Sequence, residues 1–452
     1  MSLIQTISQP GARRPDGTSM LPFRHVTLRG EQAGPAEVPG KPLFLPTLRG
    51  RTAGLDACRQ AWRADCSVWP QEFSRGQVMP QIVEFNQIQD AWGYAAAWTR
   101  LLGQTPGASF FQTLEWLEIY WRHFGHDQKL RLLLVMEGEQ VLGIVPLVVR
   151  RENKRIASLR VLTYPLHDWG SFYGPIGRDP VSLLRLALQH VRSTPRDWDM
   201  IDLRWAGSLR ESDGSDPTAE AIRRQGLIAR RRVWKRVAVI DTLGRWEDYL
   251  GSRRSSLRSS IRRYERRLGQ LGEVTLDRYR PAGSAAGDDD PQWEEFRACL
   301  QIARHSWQGR ASDGTTLSHR SVQGFLQDVH RAAVRLGAAD MNLLRLNGKP
   351  IAFAYNYVWR GTVYGLRTGY EPEYARHGAG KVLWARTFAD SFRRGDCHYD
   401  IGPDSLKVKQ PWLTRMVPVY SYAHHPSLSL RSQLFRVARW ARDCRGSGPA
   451  AA

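Results

Sequence analysis

The run GYEPEYARHGAGKVL, residues 369–383, closes a β-type segment and passes through HGAGK into an apolar stretch of helical texture. Glycines at 378 and 380 let main-chain N–H groups approach a ligand closely, and the N-terminus of a helix is electropositive. The chemistry on offer is anion binding, with a diphosphate as guest and Lys381 adding charge. A nucleoside-triphosphate loop does not fit. That motif needs Gly-x-x-x-x-Gly-Lys-Ser/Thr, and Ala375 stands at its first glycine and Val382 at its hydroxyl. On local spacing alone, a glycine-rich helix start without a ligand fits slightly better than a ligand cradle.

Asp400, in HYDIG, follows a short strand pattern, with Lys409 and Trp412 close behind. A carboxylate at a strand end is suited to taking a proton from an amine. Capping a turn or pairing with Lys409 is the alternative and has the larger share; Asp404 is a weaker candidate base. Tyr374 is a candidate general acid. Arg367 and Tyr370 lie on the strand leading into the glycine turn and are candidate contacts for donor or acceptor. Trp307, in HSWQG, either lines an acceptor pocket or packs in a core. His167 and Asp168 are neighbours in sequence, so their side chains do not face each other and form no dyad.

The 12 histidines form no ligand set, and the cysteines (Cys58, Cys66, Cys299, Cys397 and Cys444) are scattered without a CxxC pair. No metal site and no disulfide framework is expected, and a reducing cytoplasm fits this usage. No apolar stretch approaches the ~20 residues that span a bilayer, and the N-terminus lacks the apolar core of a secretory signal.

The elements that must position these residues have local signatures. Residues 1–79 are rich in Pro, Gly and Arg and predict a weakly ordered extension, with Met79 an alternative translation start. From Ile82, IVEF predicts a strand and DAWGYAAAWTRLLG a helix. FFQTLEWLEIYWRHFG predicts a second helix with Leu114, Leu117, Trp121 and Phe124 on one face. KLRLLLVMEGEQVLGIVPLVVRR predicts a hairpin turning at Glu137-Gly138, and ASLRVLTY continues the sheet. VQGFLQDVHRAAVRLG and the strands after it, with turns at Asn347-Gly348 and Arg360-Gly361, repeat that order. The chain therefore predicts an internal duplication of an α/β unit of about 170 residues.

Between the halves lies GSRRSSLRSSIRRYERRLGQLG. Leu257, Ile261, Tyr264 and Leu268 form one helical stripe, and seven arginines (253, 254, 258, 262, 263, 266, 267) cover the rest. With 65 Lys+Arg against 44 Asp+Glu, the formal charge of +21 points to polyanionic partners: nucleic acid, an anionic membrane surface or a phosphate-rich small molecule. A solvated basic helix is the first reading of this segment, RNA phosphate contact the second and anionic lipid the third.

Taken in order, several segments resemble the GNAT acyltransferase superfamily, and within it the FemAB-like and CelD-like branch described for cellulose biosynthesis. They are FFQTLEWLEIYWRHFG, LRLLLVMEGEQVLGIVPLVVRR, HDWGSFYGPI, SSLRSSIRRYERRLGQLG, HSWQGRASDGTTL, GYEPEYARHGAGKVL and CHYDIGPDSLKVKQPW. The resemblance covers roughly residues 82–430. It implies an α/β (α+β) fold of tandem GNAT-like units, each a mixed, largely antiparallel sheet flanked by helices. It also implies acetyl-CoA or another acyl-CoA as donor, with its pyrophosphate on Arg376, His377, Gly378, Ala379, Gly380 and Lys381. The family's loop begins with Gln or Arg; here Ala375 holds that place and arginine comes one residue late. Trp307, Arg367, Tyr370, Lys409 and Trp412 would bind substrate, and Asp400 and Tyr374 would carry the proton transfers. The implied acceptor is a glycan precursor in polysaccharide or envelope synthesis. FemAB relatives imply aminoacyl-tRNA as an alternative donor, and a non-catalytic basic scaffold is the third option.

The expected organisation is an extension over 1–79, a first unit over 80–245, a basic helix and flexible connector over 246–292, a second unit over 293–430, and a basic helix with frayed tail over 431–452.

Overall fold

The computed structural model describes residues 79–153, 158–209, 216–310, 314–403, 405–427 and 429–437. The expected extension up to residue 78, the tail beyond 437 and Asp404 lie outside the described residues.

The first half runs β1 (Gln81–Phe85), α1 (Ala95–Gln104), α2 (Leu114–Phe124), β2 (Gln128–Glu137), β3 (Gln140–Asn153), β4 (Ser158–Thr163), α3 (Pro180–Ser193), β5 (Met200–Ala206), α4 (Pro217–Arg224) and β6 (Ala229–Asp241). Two linking helices follow, α5 (Trp246–Ser252) and α6 (Ser255–Gly269). The second half repeats the order: β7 (Val274–Tyr279), α7 (Trp293–His305), α8 (Gln323–Arg335), β8 (Ala339–Leu346), β9 (Lys349–Trp359), β10 (Thr362–Tyr370), α9 (Ala379–Arg394), β11 (His398–Asp400), α10 (Leu406–Lys409) and β12 (Arg415–His424).

The strands join one twelve-stranded sheet in the order β1-β2-β3-β4-β5-β12-β6-β11-β10-β9-β8-β7. Read inward from either edge the pattern is the same: three antiparallel pairings, one parallel pairing and one more antiparallel one. The parallel pairs β4–β5 and β10–β11 each need a crossover, which α3 and α9 supply. The last strands are exchanged. β6, which ends the first half, pairs with β11 of the second, while β12 pairs with β5 of the first, and β6 and β12 pair with each other. The duplication is thus visible in topology, and the exchange makes the two halves a single sheet.

Local chemistry explains the elements. Leu130 to Val135 on β2 are buried without alternation, as in a strand covered on both faces. Asn347 and Gly348 both have left-handed φ (50° and 78°), as do Arg360 and Gly361 (49° and 74°), the backbone of tight hairpin turns. Thr113 caps α2 by accepting the Trp116 amide at 3.2 Å.

The helices α2 and α8 hold the halves together. Phe325 packs against Trp116 and Phe124 (centroids 5.6 and 4.9 Å apart), and His123 Nε2 lies 2.8 Å from Asp328 Oδ2. This is why Trp116, Ile119 and Tyr120 are buried beside the expected Leu114 and Leu117: α2 meets both the sheet and its counterpart helix.

Two stretches differ from the sequence expectation. β7, inside the range read as connector, is the edge strand of the second half and pairs with β8 from Val274↔Leu346 to Tyr279↔Met341. Residues 281–292 carry a short 3-10 turn and a Gly283↔Asp288 bridge. Residues 430–437 are helical, with Phe435 packed on Leu159, Val161 and Met200.

Candidate functional site

The glycine turn lies where the topology of the second half requires a crossover, between β10 and α9. Gly378 is left-handed (φ 75°) and opens the 16-residue helix α9 with no side chain capping it. Its own amide is spent on the Ala375 carbonyl (3.0 Å), and its carbonyl accepts from Lys381 and Val382 (2.9 and 3.1 Å). The amides of Ala379 and Gly380 find no acceptor among the described residues. Two N–H groups at the positive end of a four-turn helix are therefore left for an anion.

Packing also demands both glycines. A Cβ on Gly378 would come within 2.2 Å of the Tyr264 ring, and one on Gly380 within 2.9 Å of the Tyr370 ring. Tyr264 belongs to α6, whose stripe of Leu257, Ile261 and Leu268 is buried as the sequence predicted. The ring gathers cations: Arg263 and Lys381 lie 4.8 and 5.4 Å from its centroid, and Lys381 Nζ donates to Ser260 Oγ at 3.1 Å. Arg254, Arg262, Arg263, Arg266 and Arg267 are exposed. Arg376 is exposed and its Nε lies 3.0 Å from His377 Nε2, while Nδ1 of His377 is buried without a partner.

The first half shows what a closed version of this corner looks like. α3 occupies the position of α9, but Asp179 caps it, accepting from the Val181 and Ser182 amides at 3.1 Å, and Pro180 removes another donor. Its N-terminus is satisfied by the chain itself.

Asp400 sits where two parallel strands part. β10 and β11 pair only over Thr362↔His398, Val363↔Tyr399 and Tyr364↔Asp400. β10 then bulges between Gly365 and Arg367 and runs on beside β9 alone. Tyr399 meets Phe388 of α9 edge-to-face at 4.8 Å, so Asp400 points to the opposite face of the sheet. Its carboxylate is 3% exposed and accepts the Gly402 amide at 2.6 Å. Burial raises its pKa to about 7, against the pull of that amide and of Lys409. A carboxyl that titrates near neutrality is suited to general-base work.

The other sequence candidates divide by position. Arg367 lies at the bulge, donates to the Thr315 carbonyl and lies 4.2 Å over the Trp169 ring, which ties the bulge to the first half. Trp307 is 60% exposed, which removes the core-packing alternative, and next to it Gln308 donates to the Thr368 carbonyl at 3.1 Å. Tyr370 is exposed beside Gly380. Lys409 lies near Gly402. Trp412 is 1% exposed in a core with Phe388 and Trp384 (5.3 and 6.1 Å), and its ring has a packing role instead of a substrate-facing one. Tyr374 packs against the cluster of Leu268, Leu344 and Ile351. Asp400 and Tyr374 are not brought together: β10 runs six residues, about 20 Å, from Tyr364 beside Asp400 to Tyr370, and Tyr374 comes after that.

Sequence inspection missed a buried ionic cluster beneath α9. Arg278 Nε and Nη2 donate to Asp340 at 2.8 and 3.0 Å, and Arg278 Nη1 to Asp390 at 2.9 Å; Arg280 pairs with Asp396 at 2.8 Å. Burial opposes charge on Asp340, but Arg278 and Arg280 hold its carboxyl well below the usual range. Asn356 links this cluster to the Tyr399 hydroxyl at 2.9 Å, fixing the strand that carries Asp400. Only an Arg-x-Arg at the end of one strand and an Asp-x-Asn on the next hinted at it.

Two cavities among the described residues bear on the site. One of about 860 Å³ opens between Trp246, Leu276, Arg278, Phe392 and Arg393. A smaller one of about 360 Å³ lies in the first half, and neither is lined by residues 377–381. No group of His, Cys, Asp and Glu among the described residues is arranged to hold a metal ion, and no helix among them is long and apolar enough to cross a membrane.

Residues 255–410 match the family described as Acetyltransferase (GNAT) domain. The stretch runs from α6 through the glycine turn, Asp400 and Lys409. No curated protein matches the sequence. Among solved structures, the fold is similar to that of FemX, with a TM-score of 0.52 at 11% identity over 79% of this chain and 99% of that one. A tandem GNAT protein from the clavulanic acid biosynthesis pathway matches at a TM-score of 0.42 and 12% identity, over 77% of this chain and 100% of that one. Residues 255–410 are thus similar to an acetyltransferase (GNAT) domain, and they lie within a tandem α/β fold.

Proposed function

We propose that this protein transfers an acyl group from acyl-CoA to an amine or hydroxyl, in exopolysaccharide or cell-envelope synthesis on the cytoplasmic side. The observation that carries the proposal is the uncapped N-terminus of α9, with the free amides of Ala379 and Gly380, one crossover away from the split that holds Asp400. The donor diphosphate would lie on those amides, with Lys381, Arg376 and His377 beside it. The thioester carbonyl would lie at the bulge of β10, where the extra residue, Leu366, is out of the ladder and its N–H can polarise the oxygen. Asp400 takes the proton as the acceptor nitrogen or oxygen attacks; the C–S bond breaks and the CoA thiolate leaves. Arg367, Tyr370, Trp307 and Lys409 would frame donor and acceptor. We assign Tyr374 and Trp412 no part in the step.

Titration calorimetry with acetyl-CoA, a longer acyl-CoA and charged tRNA tests the donor. Binding of an acyl-CoA at micromolar concentration, competed by free CoA, is the expected result. Absence of any CoA binding rejects the proposal.

A second reading, aminoacyl transfer from aminoacyl-tRNA, is favoured by one feature. Tyr264 brings the exposed arginines of α6 against the glycine turn, where a nucleic-acid backbone would add phosphate contacts. Steep loss of tRNA affinity with salt, at roughly 0.7–0.9 in slope per neutralised phosphate, is its signature.

A further inference from the structure

We infer that the 360 Å³ cavity of the first half is a binding site for a compact polyhydroxylated ring carrying an amine, a hexosamine-class ligand, and that it presents the acceptor to the second half. The acceptor role rests on the acyl-transfer proposal; the binding itself does not.

The cavity occupies the first half's counterpart of the split at Asp400. β4 and β5 pair only over Val161↔Met200 and Leu162↔Ile201 and then part. The space between is lined by Tyr164, His167, Asp168, Trp205 and Trp234. Three of these hold buried polar atoms with no hydrogen-bond partner: the Tyr164 hydroxyl, His167 Nδ1 and Trp234 Nε1. Tyr164 is only 1% exposed. An unpaired buried polar group costs free energy, and three on residues that line one cavity point to a guest that pairs them. Trp205 adds strain in the same place. Its φ is 61°, rare for a bulky side chain, and the Tyr173 amide holds its carbonyl at 3.0 Å.

The charges select the guest. Arg204 is committed to Glu152 (2.8 and 2.7 Å) and Asp202 (2.8 Å), and Arg150 to Glu152 (3.0 Å), so neither offers a spare cation to a phosphate or carboxylate. Burial lowers the pKa of His167, which leaves the imidazole neutral at neutral pH. Asp168, exposed at the rim, is the carboxylate left for an amine. The indole of Trp205 gives an apolar wall for the C–H face of a ring. Arg150 and Arg204 line the cavity but are held by Glu152 and Asp202; hydrogen bonders, one aromatic wall and one rim carboxylate then suit an amino sugar better than a sugar acid.

The rim also faces the donor half. Trp169, next to Asp168, donates to the Gly314 carbonyl at 3.1 Å and lies under Arg367 at the bulge of β10.

Saturation-transfer NMR on the full chain with glucosamine, glucose and glucuronate reads weak binding directly. Glucosamine should give the strongest signal and glucuronate the weakest. Tyr164→Phe and Trp234→Phe, each removing one unpaired polar atom, should weaken glucosamine by about tenfold, and Tyr164→Phe should not lower the melting temperature. Signal from none of the sugars, or equal signal from wild type and both variants, overturns the inference. Acetyl-CoA calorimetry run on the same samples separates the two ideas. CoA binding without sugar binding sinks this inference and leaves acyl transfer standing; sugar binding without CoA binding does the reverse.

Discussion

Tyr264 lies so close over Gly378 that a Cβ on the glycine would sit 2.2 Å from its ring, although 114 residues separate the two in sequence. The arginine helix and the glycine turn are therefore one structural unit. Gly378→Ala meets both this contact and a left-handed φ of 75°. The left-handed backbone alone costs roughly 1–2 kcal/mol, and the clash adds to it. A fall in the urea midpoint of unfolding larger than that equivalent is expected; a fall of only the backbone cost would show that Tyr264 moves aside, and an unchanged midpoint would refute both contributions.

Asp400→Asn should abolish turnover while leaving the Gly402 amide with an acceptor. In the wild type, activity should rise with pH through about 7, as the buried carboxyl loses its proton. The linkage has a definite sign. Because the folded pKa lies above the unfolded value, the folded state binds more protons between about pH 4 and 7. The stabilisation from this group is complete below pH 4 and is lost as pH rises through 7. Asp400→Asn should thus gain stability over wild type at pH 8 and match it at pH 4. A flat pH–rate profile, or a variant with normal turnover, would exclude Asp400 as the base.

Asp340 titrates in the opposite sense. Its folded pKa is depressed, so its stabilisation is present above the unfolded value near 4 and is lost as pH falls further. Asp340→Ala leaves Arg278 buried without its bidentate partner and should cost about 3–5 kcal/mol. Chemical denaturation at pH 7 measures it. A loss below about 1 kcal/mol would mean that Asp390 and Asp396 compensate.

Lys381→Ala tests the donor cradle. Among the described residues the ammonium is tied to Ser260 and to the Tyr264 face alone, so its loss should spare the fold. Acetyl-CoA affinity should drop about fivefold to tenfold, the range of one partly exposed charge at a helix N-terminus. Calorimetry at two salt concentrations reads both the drop and its screening.

Much of the fold was legible from short-range chemistry. Glu137-Gly138, Asn347-Gly348 and Arg360-Gly361 are turns because of what those residues allow their own backbones. The stripe of Leu257, Ile261 and Leu268 is buried because helical spacing places those residues on one side. The repeat of the α/β unit followed from the order of such segments. What escaped inspection depends on contacts between distant residues. Nothing local marks β6 and β12 as exchanged strands, or β7 as an edge strand outside the connector. Trp307 and Trp412 are equally apolar in sequence, and one ends exposed and the other in the core.

The amino-acid order alone decided where helices, turns and strands form, and that a glycine-bearing helix start and a carboxylate would both exist in the second half. Those features depend on backbone allowance and periodicity, which act over a few residues. Tertiary structure alone decided that Asp400 is buried enough to titrate near pH 7, that Tyr264 closes on Gly378, and that the split between β4 and β5 gathers three unpaired polar atoms around a cavity. Desolvation and close contact depend on neighbours that folding brings from far along the chain.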